Sequence, residues 1–257
     1  MKKHRLLLAS VAIASALWGG PGIFSQTKPA TTAALNHVPF VGCASDGQAG
    51  PLAAPTGHSM AVAVSAAEAS RIAYYAAQYG PGVLAPRGWH CFSTYGSDGT
   101  NLFVSPDAID SKALFSAEWK GFAGQAIQIS NAMGDTSGRF AVAKVIARIF
   151  PAYKQFAENV ISEGIEPASD FPSGPYPNDK LTYRGKSVVE FETPANTQGL
   201  GTDSRLLPNA SPIDGVAIIS GEDTDLIQLT ARVSAKDRDL ISLIVKQVES
   251  DATAATQ

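Results

Sequence analysis

From Lys180 to Val233 the chain reads as a succession of short strands, and this stretch constrains the fold more than any other. "KLTY", a turn at Arg184 and Gly185, "SVVEFET", then "GVAIIS", the turn "GEDTD" and "LIQLTARV" follow one another. Runs of roughly four to eight residues rich in β-branched and aromatic side chains, bounded by Gly, Asp and Ser, mark strands. The turns inside "KLTY"–"SVVEFET" and "GVAIIS"–"LIQLTARV" are too short for parallel pairing, which needs a crossover of about a dozen residues or more. The stretch is therefore an antiparallel sheet.

Helices must cover such a sheet, and three segments have the spacing for it. "SAAEASRIAYYAAQYG" opens with a capping box, Ser65 with Glu68, and carries Ile72, Tyr75, Ala76 and Tyr79 at helical intervals until Gly80. This predicts a helix over about 65–79. "GDTSGRFAVAKVIARIFPAYKQFAENVI" starts with cap residues at Asp135, Thr136 and Ser137 and aligns Val142, Val145, Ile146, Ile149, Phe150 and Tyr153. It predicts a helix over about 137–162 that Pro151 kinks or splits. Ser234 with Asp237 caps a third, over about 235–249, carrying Leu240, Ile241, Leu243, Ile244 and Val248. Small polar residues from Ser250 to Gln257 predict a flexible tail.

A hairpin precedes these elements. Phe92 to Tyr95, a turn at Gly96 to Gly99, and Leu102, Phe103 and Val104 form its arms, and "GQAIQIS" (Gly124 to Ser130) is a further strand. The expected architecture is α+β: an antiparallel sheet packed with about three helices in a single compact domain over 36–249.

The N-terminus predicts export. Lys2, Lys3 and Arg5 precede an apolar run from Leu6 to Trp18, the pattern of a secretory signal peptide. That run is shorter than the roughly 20 residues a membrane span needs, so the mature chain is expected to have no transmembrane segment and to be periplasmic or secreted. The leader is placed at 1–25. Ala14 and Ala16 offer an early cleavage site and the small residues from Gly19 to Ala34 later ones, so the mature start falls between about 17 and 35. Removing Lys2, Lys3 and Arg5 changes 20 basic against 23 acidic residues to 17 against 23, a net of −6. With no basic stripe, nucleic acid is not an expected partner.

The two cysteines, Cys43 and Cys91, are expected to pair in an oxidising compartment. Two alternatives stand beside this. "FVGC" places a small residue before Cys43, as lipidation requires. Cys91 next to His90 suggests a nucleophile, although consecutive strand side chains point to opposite faces.

"LAPRGWHCFSTYGSDGTNLFVSP", "GDTSGR", "RIFP" and "VEFETPANTQGLGT" together resemble an uncharacterised family of exported bacterial proteins, over most of the mature chain. More loosely, the "P-x-GW" start, hairpin, middle helix and terminal strand-strand-helix unit resemble the sandwich shared by the Mog1 and PsbP groups. That likeness implies an accessory or binding protein, and no residues carry over from it.

Catalytic signatures are lacking: no G-x-S-x-G, H-E-x-x-H, C-x-x-C or phosphate-loop pattern occurs. No catalytic residue, metal ligand set or cofactor is assigned. His37, His58 and His90 have no second ligand at metal spacing, and His58 beside Ser59 lacks an acid partner. Candidate binding residues remain. Thr136, Ser137 and Arg139 open a helix whose N–H groups favour an anion, and Arg205 lies in the long segment Thr193 to Asp214. That segment is either a binding lid or a surface loop pinned by Leu200, Leu206 and Leu207. Trp89, Tyr95 and Trp119 form either a ligand platform or core packing. The leading functional expectation is an exported, non-catalytic protein that binds an unidentified partner protein or small ligand in an envelope accessory role. The alternatives are an envelope hydrolase using Cys91 or a Ser with a distant His, and a secreted effector or inhibitor.

Overall fold

The computed structural model describes residues 35–255. The predicted leader and the mature start lie outside the described residues. In chain order the first elements are β1 (Leu35–Gly42), β2 (Ser45–Gly47), β3 (Ser59–Ala63), α1 (Ala66–Arg71), β4 (Ile72–Ala76) and β5 (Val83–Pro86). The hairpin β6 (His90–Gly96) and β7 (Gly99–Ser105) follows, then α2 (Ser111–Leu114), β8 (Ala126–Ala132), α3 (Arg139–Ile149) and α4 (Lys154–Ser162). The last are β9 (Lys180–Tyr183), β10 (Val188–Thr193), β11 (Ile213–Ser220), β12 (Asp225–Arg232) and α5 (Ile241–Ala255).

The fold is α+β, with an eight-stranded sheet in the order β2-β6-β7-β8-β12-β11-β10-β9 and a four-stranded sheet in the order β3-β1-β4-β5. Most pairs are antiparallel, and short turns join β4 to β5, β6 to β7, β9 to β10 and β11 to β12. Two are parallel, β1 with β4 and β2 with β6, because α1 and the segments around it supply the necessary crossovers.

Alternation sorts the side chains of the large sheet into two faces. Leu102, Val104, Ile127, Ile129, Val216, Ile218 and Leu229 pack with Val38, Tyr75 and Leu84 of the small sheet and Leu240, Ile244 and Val248 near and along α5. The other face is covered in two places. α3 and α4 bury Val142, Ile146, Ile149 and Val160 against Val189, Phe191 and Ala217, while Phe122 and Leu206 pack on Phe103 with Trp119 beside them. The result is three layers with the large sheet in the middle.

Several expectations hold in detail. The capping box is present, with Glu68 N–H donating to Ser65 Oγ and Ser65 N–H to Glu68 Oε2. Pro151 splits the middle helix, a 3₁₀ turn at Pro151–Tyr153 separating α3 from α4, since the residue before a proline is pushed out of the helical region.

Four expectations need correction. The helix over 65–79 stops at Arg71, and Ile72–Ala76 is strand β4, buried at four of its five positions. A surface helix buries one stripe, whereas adjacent Tyr74 and Tyr75 both need cover; a central strand provides it on both faces. The Tyr75 hydroxyl donates to Pro86 O at 2.8 Å. Asp135, Thr136 and Ser137 do not cap α3; Gly138 does, without a side-chain bond. A Cβ on Gly138 would lie 2.2 Å from Asp98 O, so only glycine lets this helix start so close to the hairpin turn. Ser234 and Asp237 bond each other and begin a 3₁₀ turn, with α-helix only from Ile241. Finally, the tail predicted as flexible from Ser250 is helical to Ala255, with Ala252 buried.

Candidate functional site

The uncovered part of the large sheet's outer face is polar, and strand register explains how. Thr94, Asn101, Ser130 and Gln228 are successive partners across β6, β7, β8 and β12. Three strand spacings make this row about 14 Å long. Beside it, Gln128 pairs with Thr230. The row stops where Gln228 meets Ala217 of β11, which lies under the helices. A cleft of about 620 Å³ opens over Asn101, Ser130, Gln228 and Thr230. Shallower depressions of about 400 and 320 Å³ share Asn101 with it and continue past Thr94, Phe115 and Trp119.

The floor is partly tied down. Gln128 Nε2 donates to Asn101 Oδ1 at 3.0 Å, and Gln128 Oε1 accepts from the Arg205 N–H at 2.9 Å. Ser130 Oγ donates to Gln228 O at 3.4 Å. Other groups have no partner among the described residues: the buried Thr230 Oγ1, and the Gln228 carboxamide and Thr94 hydroxyl. An unpaired buried hydroxyl costs about 1–3 kcal/mol. Here that cost sits at the edge of a cleft.

Both cationic side chains of the wall are engaged. Lys144 Nζ lies 2.8 Å from Glu166 Oε2. The Arg148 guanidinium stacks 3.7 Å from the centre of the Tyr176 ring and donates to Gly174 O. The Tyr176 hydroxyl donates to Asp203 Oδ1 at 2.6 Å. Burial, reinforced by that bond and the carboxylate charge, pushes the Tyr176 phenol up to about 12, so it stays a protonated donor at neutral pH.

The residues singled out from sequence scatter. Cys43 and Cys91 are bonded to each other, with Cα atoms 5.4 Å apart; Cys91 is therefore not a free nucleophile, and Cys43 is not free for a lipid. Arg139 is engaged by Glu163, with Nε and Nη2 donating to its carboxylate at 3.0 and 2.7 Å, and by Thr136 O. Its charge is matched, so it does not form an anion cradle with Thr136. Thr136 Oγ1 instead donates to Met133 O. Ser137 borders one end of the cleft and meets Ser97 at 3.2 Å. Arg205 borders the adjoining depression, its guanidinium 5.8 Å from the Trp119 ring.

The three aromatics do not form one platform. Trp89 packs into the inter-sheet core, Trp119 packs edge-on against Phe122 on the opposite face, and Tyr95 meets Tyr79 while donating to Gly50 O. Only Trp119 belongs to the apolar cluster beside the cleft. Buried Leu200 and Leu206 pin the long segment from Thr193 to the sheet, and Asp203 and Ser204 line the cleft, with Arg205 on the adjoining depression. His37 meets Ser59 at 3.0 Å on the small sheet, and none of the three described histidines borders the cleft. No group of three or more metal-binding side chains occurs among the described residues.

The floor residues went unnoticed in the sequence, yet a signal exists. "AIQIS" and "LIQLT" each interrupt an apolar strand with Gln-x-Ser/Thr, and antiparallel pairing sets each Gln opposite the other's hydroxyl residue. No protein-family model matches the chain, and no curated protein or solved structure is significantly similar to it.

Proposed function

We propose that this chain is an exported, non-catalytic binding protein whose ligand is a small polar molecule lying in the sheet cleft. One observation carries the reading: a row of neutral hydrogen-bonding side chains interrupts an otherwise apolar sheet face under an open cleft, with the Thr230 hydroxyl, the Gln228 carboxamide and the Thr94 hydroxyl unused. Ligand sites are concave and orient their occupant with a small number of placed polar groups. The Cys43–Cys91 bond favours binding over a hydrolase built on Cys91. Export is supported by the basic and apolar N-terminus and by the cysteine pair. The resemblance to exported bacterial proteins, carried by "LAPRGWHCFSTYGSDGTNLFVSP", "GDTSGR", "RIFP" and "VEFETPANTQGLGT" together, is in keeping with an envelope accessory role. Cell fractionation should recover a shortened chain outside the cytoplasm; a full-length cytoplasmic protein would contradict export.

Thr230→Val tests the site. Valine keeps the shape and removes an unpaired hydroxyl, so the variant is expected to be more stable by about 1 kcal/mol, raising Tm by roughly 2–4 °C. A residue kept for binding trades stability for function. The same substitution should weaken ligand-induced shifts of the Asn101 and Gln228 side-chain amides in NMR titrations with glucose, alanylalanine and succinate. A Thr230→Val protein that is less stable, together with cleft amides that none of these probes moves, would refute the proposal.

A further inference from the structure

We infer that the occupant of the cleft is a neutral oligosaccharide segment of about three sugar units, lying across the strands with one ring against Phe115. The inference rests on the cleft being the binding site and adds the chemical class of the ligand.

The unused groups are all uncharged. Gln228 offers a whole carboxamide in the cleft and Thr94 a hydroxyl in the adjoining depressions, each able to donate and accept, while the buried Thr230 hydroxyl lies beneath them. A vicinal diol has the same dual character and the matching spacing for a carboxamide, whereas a carboxylate or phosphate can only accept. The charged groups nearby are already engaged, Lys144 by Glu166 and Arg148 by Tyr176. Among the residues that line the cleft, Asp98, Glu166, Asp170 and Asp203 outnumber Lys144 and Arg148. This balance repels an anion, so acidic sugars are disfavoured as well as phosphates.

The direction of the row separates a glycan from a peptide. A ligand lying along Thr94, Asn101, Ser130 and Gln228 meets a polar side chain once per strand, about every 4.8 Å. An extended peptide presents like-facing groups every second residue, near 7 Å, and it usually binds by adding to a sheet edge rather than crossing a face. A pyranose chain advances one hydroxyl-bearing ring in a length close to the strand spacing, so each strand of the row meets a successive ring.

The aromatic partner is Phe115. Its side chain is 60% exposed, yet it borders both shallow depressions next to Thr94 and Asn101. α2 places it there: Asp110 caps this turn by accepting from the Ala113 N–H at 2.8 Å, and Phe115 closes it by donating to Ser111 O. An apolar ring held by a capped turn at the end of a polar row suits the C–H face of a sugar.

The test is titration of the full mature chain with maltotriose, cellotriose, triacetylchitotriose, a trigalacturonate and trialanine, followed by NMR and calorimetry. At least one neutral trisaccharide should bind and shift the Asn101 and Gln228 amides, with the corresponding monosaccharide weaker by tenfold or more. Phe115→Ala, on the surface, should lower its affinity about fivefold, and Gln228→Ala about tenfold. Trigalacturonate or trialanine moving the cleft amides while neutral sugars do not would overturn the glycan class and leave the cleft as a site. Sugar binding indifferent to Phe115→Ala would overturn the proposed pose. No probe moving the cleft amides would remove both readings.

Discussion

Replacing Arg232 with methionine is expected to destabilise the fold by about 3 kcal/mol and lower Tm by roughly 10 °C. Arg232 is 1% exposed and ends β12 beneath the long loop. Its guanidinium donates to three backbone carbonyls: Gly124 O at 2.8 Å, Phe122 O at 2.7 Å, and Leu207 O. Burial holds its basicity below the usual arginine value. The cation is stabilised by peptide dipoles, which hold the two segments together. Phe122 and Leu206 also bridge as neighbouring backbone, with Phe122 N–H donating to Arg205 O and Leu207 N–H to Phe122 O. Methionine keeps much of the volume but leaves Gly124 O and Leu207 O without their donor. Because the same loop carries Asp203 to Arg205, the variant should also lose cleft binding. Lysine, with one compact ammonium, cannot span three carbonyls and should recover only part of the loss. Urea melts of the three proteins decide it: a methionine variant within about 0.5 kcal/mol of the parent would show that the clamp is not needed.

Which features the sequence announces depends on how local their causes are. Strands β6 to β12 are short runs rich in β-branched and aromatic residues, and the hairpins β6–β7, β9–β10 and β11–β12 have turn residues between their arms, so these strands are legible. The small sheet is not. Its β1 contains Pro39, a residue that normally marks an edge or a break. The strand pairs with β3 up to Pro39 and with β4 from Phe40, so the proline sits where the strand changes partner. β4 was hidden because Ile72, Tyr75 and Ala76 satisfy helical spacing as well as a buried strand, and only the flanking strands β1 and β5 decide between them.

The candidate site was illegible for a related reason. Gln128 and Gln228 lie on strands far apart in sequence, and nothing local states that β12 inserts beside β8. Residues chosen for conspicuous chemistry fared worse. Arg139 is conspicuous in sequence but spent on Glu163, whereas Gln228 is ordinary in sequence and free in the cleft.

Removing the disulfide, by Cys43→Ala with Cys91→Ala, is expected to cost about 4 kcal/mol, the chain-entropy value for a closed loop of this size. The bond spans a sequence separation of 48 residues. Cys43 follows β1 of the small sheet and is 1% exposed, and Cys91 lies in β6 of the large one. The bond therefore staples one sheet to the other across their shared core, and the loop it closes contains β3, α1, β4 and β5. Losing it should loosen the layers unequally. β7, β8, β11 and β12 lie at the centre of an eight-stranded ladder, while the small sheet has only four strands and joins the large one through side-chain packing that includes α5. Hydrogen exchange of the double variant should thus rise first in β1, β3, β4 and β5, with the centre of the large sheet protected until global unfolding. Two alkylated thiols in the unfolded, non-reduced parent would disprove the bond itself. Uniform acceleration of exchange across both sheets would disprove the staple, because the missing constraint would then act on the whole fold at once.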